Sequence, residues 1–341
     1  MTTSSMDAGA DPTAPAADTD FPPYRAPRWL RGGNAQTIWG AKLAPRERVS
    51  LERTRWDTPD GDFVIVDHLA GPADAPLVVL FHGLEGDATS HYCEAMMATL
   101  AHRRWRGAIP HFRSCGGELN RLPRAYHSGD WEEIDWMLGR FAPIAGNAPL
   151  FAAGVSLGGN ALLKWLAERG GDARARVRAA AAVSAPLDLA AGADAIERGF
   201  ARLYTRMFLQ SLKPKVLAKA RLHPGVFDVS RVRAARTMRQ FDDAVVVPLF
   251  GFADSADYYA RASAKPVLRK IRVPTLVINA RNDPFLPGRH LPKPDEVSSD
   301  VTLELPEEGG HAGFVSGSFP GHIRWMPERI LAFFSKFASA R

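Results

Sequence analysis

A serine between two glycines stands at residues 154–158, which read Gly-Val-Ser-Leu-Gly. A serine hydroxyl becomes a strong nucleophile when a neighbouring base removes its proton. The spacing Gly-x-Ser-x-Gly is typical of a sharp turn from a strand into a helix that exposes the hydroxyl. The N-terminus of the helix that follows the serine can also stabilise a developing negative charge. The pattern predicts that Ser156 is a nucleophile, and an ordinary Gly-rich turn is the alternative.

The residues on either side of this turn favour the nucleophile. Residues 150–153 form a short apolar run without charge, which predicts a strand buried on both faces. After the turn, apolar residues recur at helical spacing up to a pair of glycines that predict the helix end: Ala161, Leu162, Trp165, Leu166, Gly170 and Gly171. Strand, turn and helix therefore follow in the order that a nucleophile elbow requires.

A base and an acid are expected downstream of Ser156, with the acid first and the histidine second. Asp283 follows the apolar run 275–278, and His311 follows the run 301–305 in a glycine-rich loop. The carboxyl ends of parallel strands meet at one edge of a sheet, where ligand sites form. These positions predict a catalytic triad of Ser156, Asp283 and His311.

Other residues compete for two of these roles. Asp188 follows the preceding strand and is the alternative acid, and His322 is the alternative histidine. A structural histidine in a glycine-rich turn is the second interpretation of His311. The remaining candidates are interpreted as surface groups, local caps or histidines out of place in chain order: Asp242, Asp243, His111 and His127.

A second loop is expected to complete the site. His82-Gly83 follows the apolar run 77–81, and the backbone N–H of Leu84 is predicted to form an oxyanion hole with the N–H of Leu157. Glu85 either caps the following segment or reaches the pocket, and the sequence leaves both open.

Composition excludes several classes of protein. The chain has 341 residues, of which 46% are hydrophobic and 23% charged, and no apolar run of about 18 residues that would predict a membrane span. The net charge is +6, but the arginines accompany no nucleic-acid motif, so an anionic substrate or transient contact with a lipid surface is favoured over nucleic acid. Cys93 and Cys115 lack metal-ligand spacing, which predicts reduced thiols in a cytoplasmic protein with no metal and no cofactor.

The order of patterns predicts the fold class. Residues 1–20 are expected to be a disordered tail and 21–341 a single α/β domain. A hairpin formed by residues 49–56 and 63–66 precedes strands and helices that alternate, which predicts three layers around a mostly parallel sheet with antiparallel strands at one edge. Residues 189–260 break the alternation, are rich in Arg and Lys, and are interpreted as a helical lid or as extra helices beside the sheet.

With these residues assembled, the chain resembles the α/β-hydrolase superfamily, and more narrowly its YheT-type branch of carboxylesterases and lipase-like enzymes. The segments that carry this resemblance span most of the chain: residues 34–38, 82–86, 112–113, 115–117, 126–129, 154–160, 241–242, 251–252, 258–259, 282–284 and 310–311. Ser114 stands where the family typically has a glycine.

The resemblance implies a serine hydrolase that cleaves carboxylic esters, such as short- or medium-chain acyl esters or acylglycerols, through an acyl-enzyme. Two other functions stay open from the sequence. An acyltransferase would pass the acyl group from the same triad to an alcohol, and an interaction protein without catalysis would use the fold alone.

Overall fold

The computed structural model describes residues 21–338, so the tail predicted for residues 1–20 lies outside the described residues. Eight strands form one sheet: β1 Glu52–Asp57, β2 Phe63–Leu69, β3 Leu77–Phe81, β4 Arg106–Pro110, β5 Leu150–Val155, β6 Ala179–Val183, β7 Thr275–Ile278 and β8 Val301–Glu304. Their spatial order is β1-β2-β4-β3-β5-β6-β7-β8. β2 is antiparallel to β1 and β4, and the other neighbours are parallel, which confirms the predicted sheet.

The helices of the described residues are α1 Gly33–Lys42, α2 His91–His102, α3 Trp131–Ala145, α4 Leu157–Arg169, α5 Leu189–Ile196, α6 Arg202–Leu222, α7 Val229–Ala234, α8 Met238–Ala244, α9 Val246–Phe250, α10 Ser255–Ala262 and α11 Trp325–Ser335. Short 3-10 turns lie at Gly170–Ala175, Gly199–Ala201, Lys265–Lys270, Gly288–His290 and Pro294–Glu296. No helix between residues 21 and 338 combines the length and apolar character needed to cross a bilayer.

Two apolar cores cover the two faces of the sheet. Side chains alternate across a strand, so Val79 and Phe81 of β3 pack with α3 and α4, whereas Val78 and Leu80 pack with α2 and α11. All residues of β3, β5 and β6 are buried. A parallel sheet covered by helices on both faces requires such continuous apolar strands, and the predicted three-layer α/β architecture is confirmed.

Helices α5 to α10 lie between β6 and β7 in the chain, and we call them the cap helices. They have their own apolar core, whose members include Leu209, Leu212, Val216, Val232 and Phe241. Leu84 and Phe285, from loops at the carboxyl ends of β3 and β7, pack against this core. The cap helices therefore form the second wall of a space above the sheet edge.

Candidate active site

The turn around Ser156 has the geometry of a nucleophile elbow. Ser156 has φ 55° and ψ −124°, a strained conformation for a residue with a side chain, between the end of β5 and the start of α4. A Cβ at Gly154 would lie 2.5 Å from the backbone oxygen of Gly158. A Cβ at Gly158 would lie 2.5 Å from the backbone oxygens of Phe81 and His82. Only glycine allows this close approach of strand and helix.

Ser156, His311 and Asp283 lie in one hydrogen-bonded row, as their order in the chain predicts. His311 Nε2 is 2.9 Å from Ser156 Oγ, and His311 Nδ1 is 2.9 Å from Asp283 Oδ2. The Asp283 side chain is fully buried, and that of His311 is 11% exposed. In this arrangement the imidazole can take the hydroxyl proton while the carboxylate fixes its tautomer and orientation.

The loop that carries His311 is held from several sides. The His311 N–H donates to Thr37 Oγ1 of α1 at 2.9 Å, and the N–H of Gly310 donates to Asn282 Oδ1 at 3.0 Å. The ring of Phe285 stacks on the imidazole with centroids 3.9 Å apart. Thr37 lies within a segment on which the family resemblance rests, but its contact with the histidine loop could not be derived from the sequence.

Leu84 and Leu157, the predicted oxyanion-hole residues, both line the cavity in front of Ser156. The loop before Leu84 lies against the nucleophile, because a Cβ at Gly83 would be 3.0 Å from the Cβ of Ser156. The Gly83 N–H donates to Tyr92 Oη at 2.8 Å, which fixes this loop on α2. Among residues 21–338 the N–H groups of Leu84 and Leu157 have no acceptor, so both are free to bind an oxyanion.

Glu85 reaches the cavity, which settles the question that the sequence left open. Its φ of 57° is left-handed, and its N–H donates to Tyr126 Oη at 2.9 Å. The Tyr126 hydroxyl in turn donates to Glu85 Oε1 at 3.0 Å, and Lys215 Nζ of α6 lies 2.8 Å from Glu85 Oε2. Three polar contacts therefore hold the residue that follows Leu84, two with Tyr126 and one with a cap helix.

A largely apolar cavity lies between Ser156 and the cap helices. Its volume is about 1140 Å³ when the open solvent at its mouth is included. The cap helices contribute apolar residues that include Ile196, Phe208, Leu212, Val216 and Val246. Apolar walls with a few polar groups beside a nucleophile suit a ligand that has an apolar chain and one reactive polar centre.

Asp242 corrects one prediction, because it is neither a surface group nor a local cap. It is buried in the cavity wall, where it accepts a hydrogen bond from Tyr259 Oη at 2.6 Å. Burial raises the pKa of Asp242 to about 7, because the ionised carboxylate loses its hydration. Asp242 lies within a segment on which the family resemblance rests, but its burial could not be derived from the sequence, since the cap helices that cover it are brought together only in the fold.

Two more titratable side chains line this cavity, and burial disfavours the charged form of each. Burial lowers the pKa of His127 to about 3, so its imidazole, packed 4.4 Å from the ring of Phe250, is neutral. Burial also lowers the pKa of Lys219 to about 8. Its ammonium group donates to the backbone oxygens of Leu122 and Arg124 at 2.9 and 2.7 Å.

The competing acids and histidines have other partners. Asp188 caps α5 by accepting the N–H of Ala191, and Asp243 accepts the N–H of Ser255 at the start of α10. His322 forms a backbone bridge with Ser316, and buried His111 lies 2.8 Å from Asp67. Within residues 21–338 no group of three or more His, Cys, Asp or Glu side chains is arranged to hold a metal ion.

The fold and this geometry define a class of protein, and comparison with known proteins agrees. A model of the family described as "alpha/beta hydrolase fold" matches residues 76–318, and the chain belongs to this family. Within it, the chain belongs to the YheT-type branch. It is 39% identical to "Putative esterase YheT" of Escherichia coli (strain K12), over 84% of this chain and 85% of that protein.

More distant proteins share the fold. The chain is 26% identical to human "Phospholipase ABHD3", over 92% of this chain and 77% of that protein. Among solved structures, a bacterial membrane phospholipase A matches with a TM-score of 0.56 and 18% identity over 90% of each chain. The esterase Pf2001 of Pyrococcus furiosus matches with a TM-score of 0.54 and 15% identity, over 87% of this chain and 99% of that one. The chain is therefore an α/β hydrolase with relatives named esterase and phospholipase.

Proposed function

We propose that this protein is a serine hydrolase that cleaves carboxylic esters through an acyl-enzyme formed on Ser156. The observation that carries the proposal is the position of His311, whose two ring nitrogens each lie 2.9 Å from a partner, Ser156 Oγ on one side and Asp283 Oδ2 on the other. Such a row activates a hydroxyl that is otherwise a poor nucleophile.

The reaction has two steps. His311 accepts the proton of Ser156 as its oxygen attacks the ester carbonyl, and the N–H groups of Leu84 and Leu157 bind the oxyanion. The imidazolium then protonates the departing alkoxide, and the alcohol leaves. In the second step His311 takes a proton from water, the hydroxide attacks the acyl-serine, and the carboxylic acid is released with the proton returned to Ser156.

The proposed substrates are small-molecule esters with an acyl chain of short or medium length, including acylglycerols. The apolar side chains that the cap helices direct into the cavity support this class, since an acyl chain is the part of such an ester that gains most from burial. We further propose that the helices of residues 189–260 act as a lid over this chain. The phospholipase names of two relatives are compatible with acyl-ester cleavage and do not select the head group.

A p-nitrophenyl ester series from acetate to palmitate tests the proposal, with the wild-type chain compared against Ser156→Ala. We expect hydrolysis in the wild type and a loss of at least about 10⁴-fold in kcat for the variant, because the covalent step is removed. Ser184→Ala is the matched control: its hydroxyl accepts the N–H of Ala312 and does not contact His311 Nε2. Activity that survives Ser156→Ala would refute the mechanism. Ester synthesis that exceeds hydrolysis in a mixture of water and alcohol would identify an acyltransferase instead.

A further inference from the structure

The basic excess of this chain is concentrated in one part of the cap. Residues 198–239 contain eleven Lys and Arg and one acidic residue, Asp228, so this segment has a net charge of +10. The whole chain has a net charge of only +6, so the remainder is net negative. Charge segregated in this way creates a positive potential at one surface and attracts an anionic partner to it.

The exposed arginines of α6, and Arg198 just before this helix, are available to such a partner. Arg198, Arg202, Arg206 and Arg221 are exposed, and no carboxylate within residues 21–338 forms an ion pair with them. Lys215, by contrast, is paired with Glu85. The guanidinium groups of these exposed arginines can therefore pair with an external anion.

Apolar side chains project from the same surface. Phe200, Leu203 and Met207 are 55%, 43% and 46% exposed. At 3.6 residues per turn, Arg206, Leu203 and Met207 lie within an arc of about 100° on α6. We call the exposed residues 198–207 and Arg221 the α6 outer face. Large apolar groups set among unpaired cations are the pattern of a helix that lies in the interface of a membrane.

The opposite side of α6 lines the proposed substrate cavity with Phe208, Leu212 and Val216. Near the start of the helix, the ring of Tyr204 contacts Phe285 at 4.8 Å, and Phe285 stacks on His311. One helix thus separates the exposed cationic and apolar surface from the cavity.

We propose that the α6 outer face docks on a bilayer that contains anionic phospholipids. The arginines contact lipid phosphates, and Phe200, Leu203 and Met207 enter the boundary between head groups and acyl chains. A nucleic acid would satisfy the arginines but would leave these apolar side chains without a favourable environment. A second copy of the chain docked through the same face would bring two segments of +10 together. The bilayer fits both the charge and the apolar groups.

Vesicle partitioning of the full chain tests this surface. The probes are vesicles of phosphatidylcholine with about 30% phosphatidylglycerol, vesicles of phosphatidylcholine alone, and a DNA duplex. We expect binding to the anionic vesicles that weakens with salt. Removing three charges in Arg202→Gln/Arg206→Gln/Arg221→Gln should weaken it on the order of 100-fold, since each cation near an anionic membrane contributes about fivefold. Leu203→Ser/Met207→Ser should weaken it about tenfold with no change of charge.

Matched controls separate this surface from net charge and from catalysis. Arg103→Gln/Arg178→Gln/Lys270→Gln removes the same charge from exposed residues that precede β4, β6 and β7, at the opposite edge of the sheet. Leu43→Ser/Ile144→Ser removes exposed apolar groups elsewhere. Both controls should bind vesicles nearly as the wild type does. Ser156→Ala should also bind normally, so the docking result stands apart from the proposed chemistry.

Several outcomes would overturn the proposal. If the two triple substitutions weakened vesicle binding equally, the binding would depend on net charge alone and not on the α6 outer face. If Leu203→Ser/Met207→Ser bound vesicles as tightly as the wild type, neither apolar side chain would enter the bilayer. Tighter binding to the DNA duplex than to anionic vesicles would assign the face to nucleic acid. Thermal unfolding of each variant confirms that it is folded before its binding is compared.

Discussion

The two walls of the cavity are held together by different interactions. In the sheet wall, Ser156 and its neighbours are fixed by backbone contacts so close that Gly154 and Gly158 leave no space for a Cβ. In the cap wall, side chains determine the arrangement, through an apolar core and buried polar groups such as Asp242 and Lys219. Backbone geometry restricts residue type at fixed spacing, whereas side-chain packing accepts many combinations. The sheet wall is therefore visible as a motif of fixed spacing, whereas the packing of the cap wall cannot be derived from local spacing.

The largest effect is expected in the sheet wall from Asp283→Asn. The amide would favour the wrong imidazole tautomer and would not stabilise the imidazolium, so kcat should fall by about 10⁴-fold in p-nitrophenyl ester hydrolysis. Asp188→Asn is the matched control, since Asp188 caps α5 and does not contact His311. It should keep kcat within a few fold. A large loss of kcat in Asp188→Asn with little loss in Asp283→Asn would show that Asp188, and not Asp283, is the catalytic acid.

Gly158→Ala tests whether the close backbone contact in the sheet wall holds Ser156 in its active position. The new Cβ would lie 2.5 Å from two backbone oxygens, so α4 must shift away from β3 and carry Ser156 with it. We expect kcat/KM to fall roughly 100-fold, the scale for a misplacement of about 1 Å, together with a lower Tm. Gly171→Ala, where no atom lies within 4 Å of the added Cβ, should leave both unchanged. Normal activity in Gly158→Ala would show that the elbow tolerates a side chain.

Tyr126→Phe tests a contact where the two walls meet. The phenol holds Glu85 in its left-handed conformation by accepting its N–H and donating to its carboxylate. Without it the adjacent N–H of Leu84 should lose its alignment, and kcat should fall roughly tenfold with little change in KM, less than the loss for a deleted oxyanion donor. Tyr258→Phe, in the same cavity but bonded to the Ser128 N–H, should keep kcat. An equal change in both variants would point to general loosening of the cavity.

The smallest effect is expected from Asp242→Asn in the cap wall, and it concerns stability rather than rate. The pKa of Asp242 is about 7 in the folded chain, above its value of about 3.9 when unfolded. Between these pH values the folded state binds more protons, so its free energy of unfolding falls as pH rises. The asparagine variant lacks this ionisation. Urea unfolding at several pH values from 4 to 8 should show wild type losing stability relative to Asp242→Asn, and parallel curves would contradict the raised pKa.

The sequence allowed the sheet, the elbow and the order of Ser156, Asp283 and His311 to be predicted, and the structure brings these three side chains together. Their local patterns suffice because a strand end in a parallel sheet has a defined place at the sheet edge. The contacts of Tyr92 with Gly83 and of Thr37 with His311 were missed. Each joins segments far apart in the chain, and no local pattern records which hydroxyl meets which N–H.

By itself the sequence determined that a serine stands in a sharp strand-to-helix turn at the carboxyl edge of an α/β sheet, because turn geometry and strand burial restrict residue type within a few positions. Only the tertiary structure decided that Asp242 is buried, that Glu85 links the loop of Leu84 to α6, and that the basic segment 198–239 has one side on solvent and the other on the cavity. Burial and pairing of a charged side chain depend on every element packed around it, and that packing exists only in the folded chain.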